Sequence, residues 1–368
     1  MKRRISALDS FRALAILAVL LYHYFSRWTY PKNDISLYPY DDAYDYFGYA
    51  YLGVEFFFII SGFVIFFTLE KTLNLKVFWK KRFIRLVPPI IFASVTTFIF
   101  VKLLDDESLF LNSNQFKNFI PSITFISPQI LKTIFKGNWG YIDGSYWSLW
   151  PEIQFYALSS ILYFLNKKRF VFNYIAVSSA IICLNTLVKF FKQTPKFNLL
   201  PESFFHYYQI IFDKGFNLVN YIPFFSLGFI FYIFYKNHHD NVKTCLINKL
   251  YLAFLILYVL FIYGGIDESF IIRIIYACML VLFYVFIYHP EYLRFFENKF
   301  LVRIGVSSYF LYLIHQNIGV LIIHYWGSNN YGFIVPSLLV LSLIPLSIFY
   351  SEKIDRPVGK WLRNRLIK

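Results

Sequence analysis

Ten apolar stretches punctuate the chain, at roughly 8–26, 48–69, 86–104, 146–165, 170–190, 218–235, 250–264, 270–289, 302–326 and 331–352. A helix rises about 1.5 Å per residue, so about 20 residues reach across the hydrocarbon core of a bilayer. Inside lipid each backbone N–H and C=O has to be satisfied within its own segment, and helices are what runs of this length can form. Only 15% of the 368 residues are charged and 58% are hydrophobic, whereas a soluble domain carries about 25% charged residues. The expectation is an all-α, polytopic integral membrane protein of about ten transmembrane helices. The expectation includes a single domain over 1–368 with no appended soluble domain.

Lys and Arg set the expected orientation. With the N-terminus in the cytoplasm, the loops 2–4, 71–85, 167–169, 236–249, 290–303 and 353–368 hold 24 of the 36 basic residues, and the opposite loops hold nine. The opposite loops collect acid instead: Asp34, Asp41, Asp42, Asp45, Asp105, Asp106, Glu107, Asp267 and Glu268. Positive-inside bias then places both termini in the cytoplasm. The net charge of +15 is directed at membrane lipids, whose anionic headgroups attract such loops. No basic–aromatic pattern of a nucleic-acid-binding surface is present. Cys183, Cys245 and Cys278 stand far apart, and His238 and His239 lack partners at ligand spacing, so no metal site is expected. Lys2, Arg3 and Arg4 precede the first apolar run as in a signal peptide. That run is too long and no A-x-A site follows, so it reads as a retained anchor.

Charges inside apolar segments cost several kcal/mol unless they face protein or water, and they mark functional candidates. The first segment carries Asp9, Arg12 and His23. Arg12 and His23 are eleven residues apart, about three turns, so they share a face, and Asp9 can pair with Arg12 at i, i+3. Topology puts His23, Glu55 and Glu152 in one layer near the outer half of the membrane. A His held by a carboxylate is a general-base arrangement, so Glu152 or Glu55 is the expected partner of His23. Glu152 also follows Pro151 at a helix start, where an acid can simply complement the helix terminus. Ser61-Gly62 in mid-segment either lets another helix approach or leaves room for a ligand. Lys81, Arg82 and Arg85, just before Pro88-Pro89, suit a phosphate-bearing cytoplasmic ligand or a lipid headgroup. His315 shares a face with Tyr312 and could line the same cavity or serve packing. Trp147 and the loop Asn138–Asp143 offer aromatic surface to a sugar or to the membrane interface. Glu352 and Arg356, four apart, read as a helix-end clamp.

Six pieces together resemble the acyltransferase 3 family: Leu8–His23 (LDSFRALAILAVLLYH), Leu52–Phe63 (LGVEFFFIISGF), Lys81–Pro89 (KRFIRLVPP), Trp147–Tyr156 (WSLWPEIQFY), Ser307–Gln316 (SSYFLYLIHQ) and Tyr350–Pro357 (YSEKIDRP). They follow the family's order along the whole chain. The resemblance implies transfer of an acyl group, usually acetyl from cytoplasmic acetyl-CoA, to a hydroxyl of an extracytoplasmic glycan such as O-antigen, capsule or exopolysaccharide. The setting it implies is the bacterial inner membrane. By motif, Arg12 and His23 match the family's essential Arg and His, Arg82 and Arg85 its basic loop, and Glu152 its acid. His23, Glu152 and Arg12 are thus the expected catalytic residues. Arg82, Arg85, Arg12 and Lys81 are expected to bind acyl-CoA, and Glu55, Ser61, Trp147 and His315 to border the acceptor. Trp150-Pro151 before the acid and Gln316-Asn317 after His315 depart from the family's usual residues. The alternative is a transporter or flippase for a glycan or lipid-linked precursor, which would carry paired broken helices and an internal repeat.

Overall fold

The computed structural model describes residues 6–28, 37–38, 45–194, 200–263, 269–328, 330 and 332–367. Lys2, Arg3, Arg4, Asp34, Asp41, Asp42, Asp267 and Glu268, and the side chain of Asp45, lie outside what is described. The chain runs through α1 (Ser6–Phe25), α2 (Gly53–Glu70), α3 (Leu75–Leu104), α4 (Phe119–Thr124), α5 (Pro128–Phe135), α6 (Leu149–Leu165), α7 (Phe170–Gln193) and α8 (Glu202–Tyr208). It continues through α9 (Leu218–His239), α10 (Leu246–Phe261), α11 (Phe270–Tyr288), α12 (Lys299–Ile314), α13 (Gln316–Trp326), α14 (Ile334–Tyr350) and α15 (Arg356–Leu366). Short 3₁₀ and π turns join them, and no strand occurs among the described residues.

Seven helices among the described residues are long and apolar enough to cross a membrane, or eight if α12 and α13, bent by 68° at their junction, count as one. Each of the ten expected segments overlaps a helix, but α6 and α10 have only 17 and 16 residues, short of the roughly 20 that a crossing needs. Two boundaries moved. The segment expected as a basic loop at 71–85 is already helix from Leu75, capped by the Asn74 side chain accepting from Val77 N–H at 2.9 Å. Pro88 and Pro89 sit inside this helix of 30 residues rather than at its start. At 1.5 Å per residue it is ~45 Å long, so its basic first turns extend past the apolar zone. The expected segment 302–326 is broken at His315.

The core is assembled around α1 and α2. Helix α1 packs chiefly on α12, and α2 on α9. Both crossings depend on glycine. A Cβ at Gly62 would run into the Phe225 carbonyl, one at Gly228 into the Ile59 carbonyl, and one at Gly305 into the Asp9 carbonyl. Small residues allow helix backbones to meet in membranes where apolar burial between helices gives little drive. The Gly62 of the Ser61-Gly62 pair therefore serves packing, and only Ser61 faces open space. Gly62→Val is expected to lower yield and the unfolding midpoint in detergent, with an overpacking cost of roughly 1–3 kcal/mol. A thermal melt by intrinsic fluorescence checks this, and an unchanged midpoint would mean that α2 and α9 part freely.

Candidate functional site

One cavity, about 680 Å³ with its open mouth counted in, lies among α1, α2, α3, α6 and α12. Its charged wall is Arg12, Arg82, Arg85 and Glu152, with Ser61, Ser148, Tyr156 and Tyr312 among its other polar residues. Asp9 fixes Arg12 from one turn earlier, with Nη1 to Oδ1 at 3.0 Å, as the spacing predicts. Glu152 lies in the first turn of α6, but its carboxylate is taken by side chains rather than by first-turn amides. Its Oε1 accepts from Ser61 Oγ at 2.6 Å and from Tyr156 Oη at 2.5 Å. Arg82 is buried, its guanidinium 5.5 Å from the Phe78 ring centre and 5.6 Å from that of Tyr156, a cation–π arrangement. Its Nε and Nη1 have no hydrogen-bond partner among the described residues. A buried donor left so costs about 1–3 kcal/mol, more when charged, and an anionic ligand would recover that cost.

Arg82 and Arg85 also border a second space, a groove of about 1160 Å³ between α3 and α15. Lys81, Arg356, Lys360 and Arg363 continue it, with Asp355 as its one acid. Lys81 donates to Thr72 Oγ1 at 3.2 Å and lines this groove, not the inner cavity. The groove and the cavity meet at the two arginines. The α15 contribution escaped the sequence reading, although Arg356, Lys360 and Arg363 fall at i, i+4 and i+7, one face of a helix. Along the sequence Lys360 and Arg363 read only as positive-inside charge, and Arg356 as part of a helix-end clamp. The expected Glu352–Arg356 clamp is replaced by a two-bond pair from Arg303 to Glu352, at 2.9 and 3.0 Å. A partner on α12 wins over one on the same helix because the π turn at Ser351–Asp355 breaks the i, i+4 register.

His23 is elsewhere. It does not line the cavity, and its ring partners are not carboxylates. Its Nδ1 lies 2.9 Å from the Val19 carbonyl and 3.4 Å from His315 Nε2, and the Gln316 side chain also reaches the ring. The expected pairing of His23 with Glu152 or Glu55 is thus corrected. Glu152 belongs with the arginines, and buried Glu55 lies close to Tyr221 and Tyr263, off the cavity wall. Trp147 is 37% exposed and meets Tyr221, its ring centre 5.6 Å away. Between the cavity and the two histidines stands Tyr312. Its hydroxyl donates to the Ser145 carbonyl at 2.8 Å and meets Ser148 Oγ at 2.7 Å, and its ring centre is 5.3 Å from that of His315. The passage expected from Arg12 to His23 therefore closes at Tyr312 and Ser148.

Asp143 holds the junction of α12 and α13. Its Oδ2 accepts from Asn317 N–H at 3.0 Å, and its Oδ1 accepts from Ser145 N–H at 2.9 Å and Ser145 Oγ at 2.7 Å. Burial outweighs these hydrogen bonds and raises its carboxyl to about 6. Sequence reading took Asp143 for loop surface. Its only signal was an acid just before a helix start.

A multi-helix membrane protein with an arginine-lined cavity that shares two arginines with a basic groove is the class that these features define. The chain belongs to the acyltransferase 3 family, matching that acyltransferase domain over residues 5–351. It is similar to the Staphylococcus aureus (strain COL) protein named "Putative O-acetyltransferase SACOL0978", 25% identical over 398 aligned positions that cover 100% of this chain and 58% of that protein. The corresponding protein of strain MSSA476, SAS0844, bears the same description, with the same identity and coverage. The O-acetyltransferase OatA of Staphylococcus aureus (strain NCTC 8325 / PS 47) is 25% identical over 46% of this chain and 26% of its own length. The chain thus spans 58% of the length of the first of these relatives. No solved structure matches it.

Proposed function

We propose that this chain is a membrane-bound O-acyltransferase that passes an acyl group, acetyl first among candidates, from cytoplasmic acyl-CoA to a hydroxyl of an extracytoplasmic carbohydrate across the bacterial inner membrane. The observation that carries this reading is that Arg82 and Arg85 line both the basic groove and the cavity. Such a groove suits a ligand with a phosphate-rich head and a long neutral arm, since Arg and Lys take up phosphate and the cavity takes up the arm. Arg12, fixed by Asp9 at the inner end, faces the arm and can polarise a thioester carbonyl. Glu152 ties Ser61 and Tyr156 together and keeps Tyr156 under the Arg82 guanidinium.

In the proposed step the acceptor oxygen attacks the thioester carbonyl carbon, its proton goes to His23 Nε2, and the C–S bond breaks. The thiolate then takes that proton. His23 and the thioester cavity are separated by Tyr312 and Ser148, so the reading requires the Tyr312 side chain to swing aside during turnover. The names of the Staphylococcus relatives favour acetyl as the group moved. The transporter alternative calls for paired broken helices; the described residues contain one bent pair.

The groove gives the direct test. Removing three cations with R356Q/K360Q/R363Q is expected to weaken CoA binding about tenfold, since charge-assisted contacts contribute about 1.5–3 kcal/mol when desolvated and less when exposed. The salt dependence should flatten as well. Calorimetry with CoA on the purified full chain reads both, and wild-type affinity in the triple variant would return the groove to topology and lipid contact.

A further inference from the structure

The break between α12 and α13 is compensated by side chains from other parts of the chain. Backbone groups freed inside a membrane protein have to find partners. Here the His315 carbonyl accepts from Tyr24 Oη at 2.7 Å and from Gly319 N–H at 3.1 Å, while Asn317 N–H is met by Asp143. Asn317 Nδ2 adds a bond to Ser113 Oγ at 2.8 Å. Side chains from α1 and from two separate loops thus converge on a junction with neither proline nor glycine in it. What this junction presents is the His315 ring.

The tautomers follow from the partners. His315 Nδ1 faces the Tyr312 carbonyl at 2.7 Å and His23 Nδ1 faces the Val19 carbonyl at 2.9 Å. Carbonyls only accept, so both Nδ1 atoms carry the hydrogen. His315 Nε2 is then a bare lone pair, and it lies 3.4 Å from His23 Nδ1. The His23 N–H is shared between Val19 and His315. His23 Nε2 is then the ring nitrogen that no carbonyl fixes, with the Gln316 side chain also at the ring, and it is the nitrogen assigned as the base.

We infer that His315 is the positioning residue of His23, filling the role expected of a carboxylate, and that the Asp143–Tyr24 clamp on the helix break holds it in place. This rests on the reading of His23 as the base. A neutral partner has a chemical consequence that a carboxylate lacks. It fixes ring orientation and tautomer without holding a counter-charge beside the imidazolium, so the proton taken from the acceptor is readily handed on to the leaving thiolate.

The test uses membrane vesicles that carry the full chain and its native acceptor, with turnover read as thiol release from acetyl-CoA. His315→Ala is expected to lower kcat about a hundredfold while leaving the KM for acetyl-CoA within twofold, because His315 lies off the cavity. Free imidazole should restore at least a tenth of the lost turnover, which a packing role would not allow. Asp143→Asn, which turns one of the two acceptor oxygens that serve Ser145 and Asn317 into a donor, should give a kcat between those of wild type and His315→Ala. Should alanine lower abundance, His315→Phe fills the ring volume without its nitrogens and is read by the same kcat and KM split. Wild-type kcat in His315→Ala beside an inactive His23→Ala would overturn the inference and leave the base reading intact. So would a raised KM with kcat unchanged, or an inserted protein that imidazole does not rescue. Turnover surviving in His23→Ala would end the base reading itself.

Discussion

His23→Ala is expected to lower acylation of surface carbohydrate by at least about a hundredfold, the ordinary contribution of a positioned general base, while CoA affinity and membrane abundance stay at wild-type values. Each half of that expectation has its own structural basis. The imidazole is half-buried, and its partners are one carbonyl of its own helix, His315 and Gln316. Its removal therefore leaves no buried charge unpaired and opens no large void. The ring also stands beyond Tyr312, outside the space that the arginines line, so the donor's binding surface is untouched. Mass spectrometry of surface glycans gives the activity, and calorimetry with CoA gives the affinity. Persistent acylation in a correctly inserted His23→Ala protein would remove the base from the proposed mechanism. A parallel loss of CoA binding would relocate His23 into the donor site.

Arg82→Leu is expected to cost about 10- to 100-fold in CoA affinity, corresponding to about 1.5–3 kcal/mol for hydrogen bonds from a charged donor. The same variant should be no less stable than wild type without ligand. Arg82 lies buried against Phe78 and Tyr156 with two N–H positions unmet. Replacing a buried, imperfectly paired charge with an apolar side chain of similar bulk is often neutral or stabilising. Ligand binding raises apparent stability by mass action, so CoA should shift the melting midpoint of wild type and scarcely that of Arg82→Leu. A fall in the ligand-free midpoint with unchanged CoA affinity would make Arg82 a structural stack on Tyr156. The two variants divide the proposed mechanism cleanly, one affecting turnover and the other the donor.

Much of this was legible along the chain because membrane helices declare themselves by length and by which charges they tolerate. The Asp9–Arg12 pair, the charged candidates of the first segment and the two arginines before Pro88 were read from spacing alone. Spacing states which residues share a face of one helix but not which helices meet. That is why His23 was assigned a carboxylate partner. The actual neighbours are set by close approaches at glycine: Gly305 against the Asp9 carbonyl and Gly319 against the Tyr24 ring lay α12 and α13, rather than α6, along α1. The bend at His315 has no local signal either: the acid that meets its Asn317 amide, Asp143, lies 174 positions away in sequence. Glu152 was expected level with His23, yet its partners Ser61 and Tyr156 draw it to the arginine end.

Gly305 pressed against the Asp9 carbonyl locks α1 to α12 like two halves of a caliper. Arg12 and His23 then stand a constant ~16 Å apart along one rod, eleven residues at 1.5 Å each. Neither can slide toward the other to shorten the journey of the acyl group. In the proposed mechanism turnover then relies on small parts moving within a rigid gauge, and bulkier acyl groups should meet their limit at Tyr312.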